Sequence, residues 1–167
     1  MSTVWKAAVQ GQFLAAIDML ENAIRACPDP LWFDESVPVS QRFWYLASHT
    51  IFWLDYYTSP DERGFRPRPP FGLEELDPAG VYPSRAFTRA EMLDGLEHGR
   101  AKLRARLDAL DDAAAAAPCG FERRDLSALE FMLYQMRHVQ HHAAQLNLLL
   151  RQRIDSAPRW VSRGRER

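Results

Sequence analysis

Residues 127–153 read SALEFMLYQMRHVQHHAAQLNLLLRQR. Ser127 followed three positions later by Glu130 is a capping box. The hydroxyl accepts from an orphan N–H of the first turn, and the glutamate reaches back to the N–H of the cap residue. The stretch therefore reads as one helix running to about Arg153. Three of the five histidines of the chain fall inside HVQHHAAQ, residues 138–145. At about 100° per residue, His138 and His142 stand about 40° apart, one turn above the other. That is the spacing of two ligands for one metal ion. His141 lies about 60° from His138 on the other side and suits this pairing less well.

Three further segments read as helices. From about Thr3 to Ala26, Phe13, Ile17, Leu20, Ile24 and Cys27 recur at intervals of three and four, the period of an apolar helical stripe. CPDP ends it, because Pro28 and Pro30 lack the N–H and force an extended backbone. In SQRFWYLASHTIFWLDYYTS, residues 40–59, Ser40 is placed to cap the second helix and Pro60 to close it. A second capping box, Thr88 to Glu91, opens the third, which carries Leu93, Leu96, Leu103, Leu107 and Leu110. AAAAA at 113–117 reads as a fraying helix end before Pro118. With almost no β-alternation, the expectation is an all-α four-helix bundle. Residues 59–87 hold six of the eleven prolines. A link this long spans a helix length, so helices two and three are expected to run parallel. Phe65, Phe71, Leu73, Leu76, Val81, Tyr82 and Phe87 give it apolar groups to pack on the bundle.

At 167 residues the chain suits a single domain, and a formal net charge of −1 gives no pointer to nucleic acid or an anionic membrane as partner. No run approaches the ~18 apolar residues of a membrane span, and the N-terminus lacks the pattern of a signal peptide. A cytoplasmic protein is expected. Cys27 and Cys119 are read as reduced thiols, Cys27 in the core and Cys119 in a Pro-Cys-Gly loop where a reactive thiol is the rival reading. The terminal SRGRER is read as a solvated, partly disordered basic tail.

A third ligand for the histidine pair is sought on another helix. His49 shares a face with Tyr45, Trp53 and Tyr56, which turns its imidazole toward the bundle or a cleft. A histidine on an aromatic face is ordinarily a satisfied core residue, and an i, i+4 pair is often a surface accident. Together, His49, His138 and His142 supply three neutral nitrogen donors, which neither part explains alone. His98, on a charged stretch of helix three, is expected to face solvent. Val139 stands where a zincin protease carries its glutamate, so that chemistry is excluded. Gln145, about 20° from His138, is either an orienting amide or a packing one, and His141 either a cleft residue or an exposed one.

The histidine set in FWYLASHTIFWLDYY, the long link, and the His-x-x-His-His-x-x-Gln of HVQHHAAQLNLLLRQ resemble the DinB-like, or YfiT-like, family, which is unrelated to the DNA polymerase sharing the name. The resemblance runs over essentially the whole chain. It implies an up-down-down-up four-helix bundle, a homodimer, and a divalent metal, zinc or nickel, held by His49, His138 and His142. Ala143-Ala144 stands where many members carry Arg-Gly. Ala144 is expected to leave room for close helix packing. Three protein ligands leave a coordination position open, as catalytic sites do, for water in a hydrolase or for a low-molecular-weight thiol in an S-transferase. The substrate is then a small molecule. The rival readings are a non-catalytic metal- or ligand-binding bundle and a dimeric helical interaction module.

Overall fold

The computed structural model describes residues 4–164. Thr3, where the first helix was expected to start, and the last three residues of the basic tail lie outside them. Among the described residues the fold is all-α: α1 (Val4–Ala26), α2 (Asp29–Trp32), α3 (Phe43–Tyr57), α4 (Arg89–Ala109), α5 (Asp112–Ala116) and α6 (Ala128–Ile154), with 3-10 turns at Val39–Gln41 and Glu74–Leu76. Among the described residues no helix is long and apolar enough to cross a membrane.

Both capping boxes form. Thr88 accepts from Glu91 and Ser127 from Glu130, with each glutamate returning to its cap. Each box contributes about 1 kcal/mol and fixes where the helix starts. Ser40 does not cap α3. It lies in the preceding 3-10 turn, and Arg42 is the cap residue with no side-chain hydrogen bond. Arg42 instead donates to the carbonyls of Val37 and Glu35, which fastens the approach to the helix. CPDP does stop α1, but Pro28 is then the cap residue of the single turn α2, and Pro30 sits in its first turn, where a proline tolerates the missing donor. Trp32 of that turn is fully buried and donates to the Phe87 carbonyl, tying the entrance of α4 to the end of α1. The alanine run is a separate helix, α5, capped by Asp111.

α1 packs on α4 and α6, and α3 packs on the same two helices. Phe13, Ile17, Leu20, Ile24 and Cys27 all enter the main core with Trp32, Ile51, Leu96, Leu103 and Leu146. Burial pushes the Cys27 thiol up to about 12, so it stays a protonated apolar filler. α3 approaches α4 closely because α4 carries glycine there. A Cβ at Gly95 would lie 2.8 Å from the Phe71 ring and 3.1 Å from Ile51, and one at Gly99 would lie 2.8 Å from Leu54.

The long link is ordered against the helices, unevenly. Phe87 is buried and Phe71 packs on the main core, while Phe65 joins a second cluster of Phe52, Tyr56, Tyr57, Cys119, Phe121 and Phe131. Leu73, Leu76, Val81 and Tyr82 remain exposed. Cys119 is buried in that aromatic cluster, which removes it as a surface thiol. The described part of the tail is not solvated free chain. Ala157 and Val161 pack against the core, Gln12 donates to the Ser162 carbonyl, and the Gly164 N–H bonds the Gly11 carbonyl at 2.8 Å. Only glycine passes at 164, since a Cβ there would lie 2.3–2.6 Å from Leu14 and Ala15.

Candidate metal centre

α3 and α6 bring the three histidines together. The imidazole centroids lie 4.6 Å apart for His138 and His142, 4.9 Å for His49 and His142, and 5.4 Å for His49 and His138. One nitrogen of each falls within 4.8 Å of the others, and the Nε2 atoms of His138 and His142 are 3.2 Å apart. The i, i+4 relation on α6 produces this pair, and the inward face of α3 supplies the third ring. All three residues are half-buried, with Tyr45 and Trp53 packed on either side of His49 at 6.1 and 6.2 Å.

Two side chains orient the rings. Gln145 Oε1 lies 2.7 Å from His142 Nδ1, so Nδ1 carries the proton and Nε2 presents its lone pair to the cluster. This settles the choice for Gln145, which is an orienting amide. On His49, Nδ1 lies 2.7 Å from Glu75 Oε2, which also accepts from Trp53 Nε1 at 3.1 Å. The Tyr45 hydroxyl faces the same carboxylate. Burial works to raise the Glu75 carboxyl, but the bonds from His49, Tyr45 and Trp53 outweigh it and hold the group below its usual range. The anion therefore persists in a partly buried place because three donors face it.

Burial pushes His138 down to about 3 and His142 down to about 4, with the neighbouring imidazoles adding to the effect. Both of these rings therefore present neutral nitrogens at pH 7.

Sequence reading missed Glu75. It sits in the 3-10 turn of the link, 26 positions from His49, with no periodicity to mark its direction. The only available signal was the acidic pair Glu74-Glu75 within an otherwise proline-rich stretch. His141 is exposed, with its ring edge-on to His142 at 5.0 Å, and does not join the three. His98 does not simply face solvent. Its Nε2 lies 3.4 Å from Asp55 Oδ1, in a cluster where Lys102 bonds both Asp55 and Ser59. Of the two alanines, Ala143 is the fully buried one that packs between helices, whereas Ala144 is exposed.

Three converging imidazoles on two long helices of an all-helical fold, oriented by a carboxylate and an amide, define a polyhistidine site of the kind found in helical metal-binding proteins. The chain belongs to the DinB superfamily, whose family model matches residues 12–146. That span includes His49, Glu75, His138, His142 and Gln145. No curated protein and no solved structure matches the chain.

Proposed function

We propose that the chain is a divalent-metal-dependent enzyme in which His49, His138 and His142 hold one ion, zinc or nickel, beside a small-molecule substrate. The observation that carries this reading is the 3.2 Å separation of the His138 and His142 Nε2 atoms, with the other ring nitrogen of His142 already committed to Gln145. Two imidazoles at about 2.0–2.1 Å from one tetrahedral ion stand about 3.3 Å apart, so the pair has the spacing that a shared ion requires. The donor set is nitrogen-only and half-buried, which suits zinc or nickel rather than magnesium or calcium.

When bound, the ion supplies Lewis acidity and lowers the pKa of a water or a low-molecular-weight thiol at its open position, giving hydrolase or thiol S-transferase chemistry. The rest falls to this chain. Glu75 and Gln145 hold the His49 and His142 tautomers. Tyr45 and Trp53 keep the Glu75 carboxylate in place and limit water at His49. Because Glu75 Oε2 is taken by His49 and Trp53, the carboxylate acts as an orienting group rather than a free base.

We also read the four long helices as an up-down-down-up bundle. The pairs Ile51 with Gly95, Leu54 with Gly99 and Ser59 with Lys102 ascend together along α3 and α4, as parallel helices require. Asp18 and Glu21 with Arg100 against Trp5 with Asp112 run oppositely along α1 and its partner segment. His49 with His142 against Tyr57 with Gln135 run oppositely along α3 and α6. A homodimer completes the reading. Leu73, Val81 and Tyr82 stay 50%, 44% and 47% exposed on the link, apolar surface that a second copy would cover. Light scattering at micromolar concentration is expected to return the mass of two chains, and a one-chain mass rejects the dimer.

Glu75→Gln keeps the shape but weakens the bond to His49 Nδ1. Metal affinity is expected to fall about 10–100-fold, the usual cost of losing an orienting partner. An unchanged affinity in a competition titration removes Glu75 from the site. The open position is tested by cobalt substitution. A small thiol added to the cobalt form is expected to shift its visible absorption, and an unchanged spectrum at saturating thiol discards the S-transferase branch and leaves hydrolysis.

A further inference from the structure

Beside the histidine cluster lies a cleft of about 590 Å³, formed between α1, α6 and the returning tail. Its volume is that of a site for a small organic molecule. Ala15, Ala16, Met136 and Val161 make its wall apolar, and His138 forms part of that wall. The cleft therefore shares a side chain with the candidate metal centre.

Two residues on the cleft are not explained by folding. Trp160 is 70% exposed although it belongs to a tail segment anchored on both sides, through Ala157 and Val161 to the core and through Ser162 and Gly164 to α1. An indole held out on a fixed strap above an apolar wall costs solvation without contributing packing, and it offers a flat face to a ligand. Arg137 lines the same cleft, is exposed, and has no carboxylate partner among the described residues. A guanidinium at the rim of an apolar cleft is a ready partner for an anionic group.

We propose that this cleft binds the substrate of the three-histidine centre and that the substrate is a small organic anion with a flat apolar body. Arg137 takes its charge, Trp160 covers its body, and His138 borders both the cleft and the centre. The proposal rests on the metal-centre reading for its link to the histidines, but not for the binding itself.

The test uses naphthalene-2-sulfonate as an anionic probe and 2-naphthalenemethanol as its uncharged counterpart, titrated by calorimetry into full-length, chelator-stripped protein. Both substituted residues are exposed, so folding is not at stake, and circular dichroism checks this. Arg137→Gln is expected to weaken the sulfonate about fivefold, the worth of one partly solvated ion pair, and to leave the alcohol unchanged. Trp160→Ala is expected to weaken both probes. Sulfonate binding that is absent in the wild type, or equal in Arg137→Gln, overturns the proposal. So does a change in oligomeric mass in either variant without a change in probe affinity, since the cleft is then an interface between copies. In the cobalt-loaded protein the sulfonate is expected to perturb the cobalt spectrum through His138. Binding with no perturbation separates the cleft from the centre and also overturns the proposal. If the wild type takes up no metal but the probe and Arg137→Gln results hold, the metal-centre reading fails while the anion cleft stands.

Discussion

His142→Ala is expected to lower affinity for a divalent ion by more than about 100-fold, beyond the usual cost of losing an orienting partner. It removes a first donor, together with the Gln145 bond that sets it. His141→Ala is expected to leave affinity within about threefold of wild type. The contrast is informative because the two residues are sequence neighbours, both histidines, with rings 5.0 Å apart. Composition and local charge are the same in both variants, and only direction differs. His141 is exposed, whereas His142 meets His49 and His138. A competition titration against a chromophoric chelator reads both values. Loss in His141→Ala with retention in His142→Ala reverses the ligand assignment.

The second large effect lies away from the site. Arg100 on α4 is fully buried and reaches α1 through Asp18 and Glu21, each at 2.7 Å, with Glu97 at 3.2 Å on its own helix. Asp18 and Glu21 are themselves buried. Arg100→Met leaves both carboxylates in the interior without the guanidinium. Because Arg25 still compensates Glu21 at 2.9 Å, the expected loss is about 3 kcal/mol, the lower end for breaking a buried pair. Denaturant unfolding measures it as a fall in midpoint. Changing Asp18 and Glu21 to leucine together with Arg100→Met is expected to recover much of that loss, since apolar residues of similar volume replace buried charge at little cost. A triple variant less stable than Arg100→Met contradicts this account of the cluster.

The helical segments and the three histidines were legible because each rests on local pattern. The boxes at Thr88 and Ser127 are determined within four residues, and the His138–His142 relation within five. His49 needed only the aromatic face of one helix. What was not legible depends on the path of the chain between helices. Glu75 reaches His49 because a proline-rich link folds back over α3, and nothing local to Glu75 encodes that return. Arg100 reads as one more charge on a charged helix until α1 is laid beside it. The tail is a partial case of the same kind: Ser162 and Arg163 are exposed, as the composition of SRGRER suggests, while Gly164 fits against Gly11 and Leu14 through a close approach that only the packed structure reveals. Ser40 failed as a cap because a 3-10 turn intervenes and the helix starts after Arg42. Propensity allows several starts, and the carbonyls of Val37 and Glu35 select one through the Arg42 guanidinium.

X-ray absorption on zinc-loaded protein, purified without a metal-affinity step and dialysed against buffer, tests the central claim most directly. The account predicts one zinc per chain, with three imidazole nitrogens at about 2.0–2.1 Å and one further light-atom ligand from solvent. A protein that retains no zinc, or a first shell with fewer than three imidazoles, contradicts it.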